Sequence, residues 1–270
     1  MRSKAGKQEN IRAFFRTLYE RWGHQHWWPA ETPFEVIVGA YLTQNTAWIN
    51  VERALTQLRD AGGLSVEGIR SIDACELEKL IRSAGYFRQK ASRLKQFVTF
   101  LDQRYGGSLE RMFSTPTAQL REELLPLNGV GPETADSILL YAGQHPIFVV
   151  DAYTRRILER HGLAKASTKY EEIRTLVEAA LSNATLPELA EIDPATLPRG
   201  SCHVPSAMST ATRCAQAEVF NEMHGLIVGV GKNYCLKSKP KCEECPLGPL
   251  LPKTRKFGIK LKANSGGMSQ

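Results

Sequence analysis

The fold turns on one stretch, Leu124-Leu125-Pro126-Leu127-Asn128-Gly129-Val130-Gly131-Pro132-Glu133-Thr134-Ala135-Asp136. An apolar helix end runs into Gly-Val-Gly, and a second helix opens with Pro132 in its first turn, where a backbone N–H would be unbonded anyway. Two glycines two apart let the chain turn tightly and present N–H groups beside a helix N-terminus. Such a concavity takes a phosphate without any side-chain charge. A plain helix-to-helix turn is the simpler interpretation of a bare Gly-x-Gly. Helical periodicity on both sides makes this a helix–hairpin–helix and favours the phosphate-binding interpretation.

Working outward, almost every segment is helical. Ile11, Phe14, Phe15, Leu18 and Tyr19 form one apolar stripe, and Thr32-Pro33-Phe34-Glu35 carries the N-cap, first-turn proline and acid of a capping box. Further stripes fall at Val51, Ala54, Leu55 and Leu58, at Leu77, Leu80, Ile81 and Ala84 up to Gly85, and at Leu94, Phe97, Val98 and Leu101 up to Gly106-Gly107. After the hairpin they recur at Ala135 to Ala142, Ile173 to Ala180 and Val219 to Val230. Only Ile147–Val150 reads as extended, too short to found a sheet. Residues 186–214, rich in Pro, Ser, Thr and Ala, read as a long loop, and the basic, then Gly/Ser-rich tail 253–270 as disordered. The fold class is all-α.

The chain has 270 residues, 42% of them hydrophobic and 23% charged, which excludes a collagen-like or small disulfide-stapled chain. Its most apolar stretch, Phe34–Leu42, is too short for a membrane span. MRSKAGKQEN at the N-terminus lacks the apolar segment of a secretory signal, so an intracellular protein of the cytoplasm or nucleoid is expected. A net charge of +7 suits a polyanionic partner. Six cysteines in a reducing compartment argue against disulfides, and the cluster Cys235, Cys242, Cys245 favours a metal or iron–sulfur site.

Eighteen residues beyond Glu133, Val149-Val150-Asp151-Ala152-Tyr153 places an aspartate between a short buried run and a helix. Alone, Asp151 is an ordinary N-cap. Taken together, LNGVGPETADSILLYA and VVDAYTRRIL resemble the helix–hairpin–helix DNA glycosylase superfamily, the endonuclease III group, over about residues 30–247. That resemblance implies that Gly129, Val130, Gly131 and Thr134 hold the DNA backbone. It also implies that Asp151 is catalytic, stabilising the oxocarbenium-like sugar as the base leaves and orienting water on C1′. Capping and catalysis are compatible.

One departure matters. Endonuclease III carries a lysine two residues after the second hairpin glycine, and here that residue is Glu133. A carboxylate forms no Schiff base, so the expectation is a monofunctional glycosylase. Glu133 also suits a helix first turn through the dipole alone. Gln44 matches the residue that fills the gap left by a flipped nucleotide, while Asn45 reads as a left-handed helix cap. Trp27-Trp28-Pro29, LTQNT at 42–46 and the glutamate resemble the 3-methyladenine glycosylase branch, whose members stack alkylpurines between aromatic rings. Trp27, Trp28 and Trp48 are thereby assigned to the base pocket, with core packing the plainer role for Trp22.

Cys235, Cys242 and Cys245 match the first three ligands of the endonuclease III four-iron–four-sulfur loop, and Leu251 stands where the fourth belongs. Cys214 or Cys202 could supply it. A non-cysteine ligand, a lost cluster and zinc stay open. The loop lysines Lys232, Lys237, Lys239 and Lys241 would then face phosphates.

The expected architecture has two lobes: a six-helix barrel over about 24–144 containing the hairpin (about 124–142), and a lobe from 1–23 plus 145–252. The expected activity is excision of an alkylated purine from double-stranded DNA by a monomer bound to no membrane. Its rivals are an endonuclease III-like glycosylase/lyase acting on oxidised pyrimidines and a non-catalytic DNA-binding module.

Overall fold

A computed structural model describes residues 3–186 and 204–252. Most of the loop expected over 186–214, including Cys202, and the tail from 253 therefore lie outside the described residues. Twelve α-helices are described: α1 (Lys4–Trp22), α2 (Pro33–Leu42), α3 (Trp48–Asp60), α4 (Val66–Ser71), α5 (Ala74–Leu80), α6 (Phe87–Tyr105), α7 (Leu109–Phe113), α8 (Thr117–Leu124), α9 (Pro132–Ser137), α10 (Ala152–Arg160), α11 (Tyr170–Leu181) and α12 (Ala215–Asn233). Among the described residues there is no strand, and no helix is long and apolar enough to cross a membrane. The stretch Ile147–Val150 is buried but unpaired.

The local signals explain the boundaries. Thr32 caps α2 by accepting from Glu35 N–H at 3.1 Å. Glu35 then departs from the expected box: its carboxylate accepts from Glu31 N–H at 3.0 Å and pairs with Arg59. The stripe ending at Gly85 breaks into α5 and a 3₁₀ turn, Arg82–Ala84. Behind it Lys90, buried, donates to Leu42 O and Ala84 O, both at 2.8 Å, and burial lowers its pKa to about 8.

Helix α2 packs on α3, α6 and α9, with α4 and α5 against α6. Helices α1, α10 and α11 pack on α12. A π-helical turn, Ile138–Ala142, extends α9 and touches both α2 and α12. It is the joint between the two sets. Helix α12 is buried from Val219 to Gly231, which suits its mostly apolar sequence, interrupted by the buried Asn221, Glu222 and His224, better than a surface amphipathic stripe would. The described end of the long loop docks on the approach to α2, with Met208 N–H donating to Ala30 O at 3.0 Å.

Candidate active site

Asp151 caps α10. Its Oδ1 accepts from Thr154 N–H at 2.7 Å, and its Oδ2 lies 3.7 Å from His224 Nε2 of α12. The run before it is held from behind: Val150 N–H donates to the Tyr170 hydroxyl at 3.2 Å, and that hydroxyl donates to the buried Asp136 at 2.8 Å. Arg121 closes on the same carboxylate with contacts of 2.6 and 3.2 Å. Asp136, in the second helix of the hairpin, thereby anchors the segment that presents Asp151.

Asp151 opens into a cavity of about 720 Å³ between the turn after α2 and helices α3, α9, α10 and α12. Trp27, Trp28, Trp48 and Glu133 all line it. Trp28 is its back wall: 7% exposed, it lies against Gly39, where a Cβ would meet the indole at 3.1 Å. Edge contacts join it to Trp48 (5.3 Å between centroids), and a tilted contact joins it to Tyr141 (5.2 Å). Trp48 is steadied by its N–H on Glu52, at 2.7 Å. Trp22 instead stacks on Tyr234 in the core.

Glu133 shares the cavity with Asp151. Glu133 stays exposed to solvent, but the cavity wall crowds one side of its carboxyl and the Asp151 charge repels a second anion, so its pKa rises to about 7, against the pull of Arg155. Lys232, assigned from sequence to the cysteine loop, also lines the cavity, its ammonium 5.5 Å from the Trp27 ring centre. Burial lowers its pKa, while Glu52 and Asp151 act the other way. Lys237 lines the cavity as well.

Gln44 stands off this wall and clamps the hairpin. Its amide donates to Gly129 O at 2.8 Å and to Thr134 Oγ1 at 3.0 Å, and its carbonyl accepts from Arg93 at 3.0 Å. Asn45 has the left-handed conformation of a cap (φ 53°) and does reach the cavity. In the hairpin, Gly129 has φ 80°, which only glycine adopts freely, and Gly131 is the extended N-cap of α9 with open space where a Cβ would be. Val130, expected to help hold the DNA backbone, has a buried side chain, and its N–H donates to Leu127 O at 2.9 Å.

A separate cavity of about 420 Å³ is lined by Cys235, Cys242 and Cys245 together with His161, Arg160 and Leu251. The three thiols are free, and Arg160 points at Cys235 Sγ from 3.1 Å. Cys214 cannot complete this set. It is the exposed N-cap of α12, and nineteen helical residues, about 28 Å, separate it from Cys235. Sequence proximity misleads because the intervening segment is one straight helix.

His224, Tyr141, Tyr170 and Asp136 were not among the residues expected at the site. The one available signal was His224, a polar residue inside the apolar stripe Val219, Met223, Leu226, Ile227, Val230.

Residues 38–183 match the family model described as HhH-GPD superfamily base excision DNA repair protein. The chain belongs to that superfamily. It is a DNA repair glycosylase of the HhH-GPD type, as its relatives indicate. A Methanocaldococcus jannaschii protein, MJ1434, whose name places it among DNA repair glycosylases, is 41% identical over 90% of this chain and 96% of its own. Endonuclease III of Thermotoga maritima is 28% identical over 87% of this chain and 89% of its own. Among solved structures, H. pylori 3-methyladenine DNA glycosylase MagIII bound to 1,N6-ethenoadenine superposes with a TM-score of 0.64 at 26% identity, covering 84% of this HhH-GPD chain and 97% of MagIII. A trapped endonuclease III–DNA covalent intermediate gives 0.67 at 20% identity over 95% and 99%, a likeness of fold.

Proposed function

We propose that the protein is a monofunctional glycosylase that hydrolyses the N-glycosidic bond of an alkylated purine flipped out of double-stranded DNA. The observation that carries this reading is one cavity holding Asp151, three tryptophans and a carboxyl, Glu133, at the hairpin position where a Schiff-base amine is needed. MagIII, which shares the fold, holds an alkylated purine, 1,N6-ethenoadenine.

In this mechanism Gly129, Gly131 and Thr134 receive the phosphate backbone while Gln44 keeps the hairpin rigid beside the vacated stack. The extruded base enters against Trp27, Trp28 and Trp48, each contact worth about 1–3 kcal/mol. As the C1′–N bond breaks, positive charge develops on the sugar opposite the Asp151 carboxylate. Asp151 then takes the proton of the water whose oxygen bonds to C1′. Glu133, titrating near neutrality, is placed to return a proton to a base that leaves as an anion. The helices around α2 would act as the barrel lobe and those around α12 as the second, with the substrate between them.

The cysteine cavity fits an iron–sulfur group at three corners, since three unpaired thiols line the same space. Cys235, Cys242 and Cys245 would hold a 4Fe–4S cluster, with the fourth contact from a non-cysteine ligand. Its contribution would be structural, tying the loop to the ends of α10 and α12.

Lys232 supports a second reading, because an amine with a lowered pKa beside Asp151 could attack C1′ and make the enzyme a glycosylase/lyase on oxidised pyrimidines. Single-turnover assays on duplexes carrying 3-methyladenine, 1,N6-ethenoadenine or thymine glycol, each with borohydride trapping, separate the two. Release of alkylpurines without a covalent adduct is expected. An adduct that disappears in Lys232→Met would establish the second reading instead. Loss of release in Asp151→Asn, by at least about 100-fold, is expected in either case.

A further inference from the structure

Behind Asp151 lies a buried pair that hydrolysis by a lone carboxylate does not require. His224 is 4% exposed, and its Nδ1 sits 2.5 Å from the Tyr141 hydroxyl. Its other ring nitrogen, Nε2, is buried, has no hydrogen-bond partner, and faces Asp151 Oδ2 at 3.7 Å. Buried polar groups are nearly always bonded, so an orphan aimed at a candidate catalytic oxygen calls for a reason.

The tautomer follows from the neighbours. Burial, with the Asp151 charge acting the same way, holds the Tyr141 phenol's pKa well above its ordinary value, so the hydroxyl keeps its proton beside Nδ1. That leaves the hydroxyl proton for His224 Nδ1, which must then be the bare nitrogen. Nε2 carries the hydrogen. The opposite tautomer would set a lone pair against the Asp151 carboxylate. Rings enclose the imidazole on its other sides, Trp27 at 6.0 Å and Phe148 at 6.2 Å, and burial lowers its pKa even though Asp151 favours the charged form.

We propose that Tyr141 and His224 are positioning residues for Asp151: the Tyr141 hydroxyl fixes His224 as the Nε2–H tautomer, and that N–H closes on Asp151 Oδ2 when substrate is seated. With Oδ1 already held by Thr154 N–H, the second bond stops the carboxylate from rotating and aims it at C1′. Bonds of this kind are often long before substrate binds and shorten in the reacting complex. The inference rests on Asp151 being the catalytic carboxylate.

The test begins with the unmodified protein. Long-range 1H–15N NMR of the His224 ring should show a protonated Nε2 and a bare Nδ1, and Tyr141→Phe should give a mixture of tautomers. On whichever alkylpurine duplex the wild type processes, Tyr141→Phe and His224→Phe should slow single-turnover base release at least about tenfold. Binding to a duplex with a tetrahydrofuran abasic analogue should be unchanged, a split that a general loss of structure would not produce. His224→Gln, which restores an N–H, should recover part of the rate. A protonated Nδ1 in the wild type, or a wild-type rate in a folded Tyr141→Phe, overturns the relay. Full activity in Asp151→Asn would instead overturn the reading of Asp151, so the two failures are distinguishable.

Discussion

Replacing Tyr170 with Phe tests whether the turn carrying Asp151 is held from behind. The ring volume is kept, so no cavity opens, and only the hydroxyl's two bonds are lost. Val150 N–H loses its acceptor, and at 1% exposure Val150 has no water to replace it. An orphaned buried donor costs about 1–3 kcal/mol. Asp136 loses the donor at 2.8 Å but keeps the two-pronged contact from Arg121, so that share lies near the low end, about 1 kcal/mol. The sum is about 2–4 kcal/mol. For a chain of this length each kcal/mol moves Tm by about 2–4 °C, so Tm should fall by roughly 4–16 °C. Urea unfolding should show a lower midpoint at unchanged slope. Base release in single turnover should fall more than DNA binding, because the loosened residue directly precedes Asp151. A Tm change under about 2 °C would refute the reasoning, since it would mean that the turn holds itself and Asp136 serves only Arg121.

Glu133 sets a pH dependence whose sign can be worked out. Folded, it keeps its proton up to about pH 7, against an ordinary value of 4.5, so between those values the folded state binds more protons than the unfolded one. Stability should therefore fall modestly, because solvent around the exposed carboxyl screens the effect, as pH rises from about 4.5 to 7 and level off above, and Glu133→Gln should gain on the parent across that window in denaturant titrations at pH 5 and pH 8. Gly129→Ala should weaken DNA binding while sparing the rate of bound substrate: its φ of 80° penalises a Cβ, which would also collide with Arg93, and fluorescence anisotropy on abasic-analogue DNA measures it. In Gly231→Ala the new methyl would run into the Tyr153 ring on the cavity wall, so excision should fall sharply even if melting shows a folded protein; an unchanged rate would mean that Tyr153 moves freely. Cys242→Ser should remove iron and visible absorbance while Cys214→Ser leaves both intact, and equal iron loss in the two would contradict the placement of Cys214 at the far end of α12.

What could be seen in the sequence is what short-range rules encode. Gly129 and Gly131 advertise a turn because the backbone demands glycine there, and Asp151 is legible as a cap because Thr154 N–H, three residues on, is its partner. The tryptophans were legible for a related reason, since three of the four crowd around α2 and reach the same cavity. Contacts that span the chain left no local trace. Tyr141 and His224 are 83 residues apart and Gln44 and Gly129 are 85 apart, and no periodicity links them. Lys232 shows the limit most sharply. Its spacing to Cys235 suggested a loop facing phosphate, yet the last turn of α12 carries it to the Trp27 ring and into the cavity. Whether an amine there stays a bystander depends on what shares its space: Asp151 and Glu52 favour its charge, burial opposes it, and a Lys232 ammonium over Trp27 would compete with a cationic base for the same ring. A neutral alkylpurine avoids that competition. If Lys232 remains charged in the complex, 1,N6-ethenoadenine should therefore be released in preference to 3-methyladenine, and Lys232→Met should reverse the order. An order that Lys232→Met leaves unchanged would show that stacking alone, without the charge at the cavity mouth, sets the choice of base.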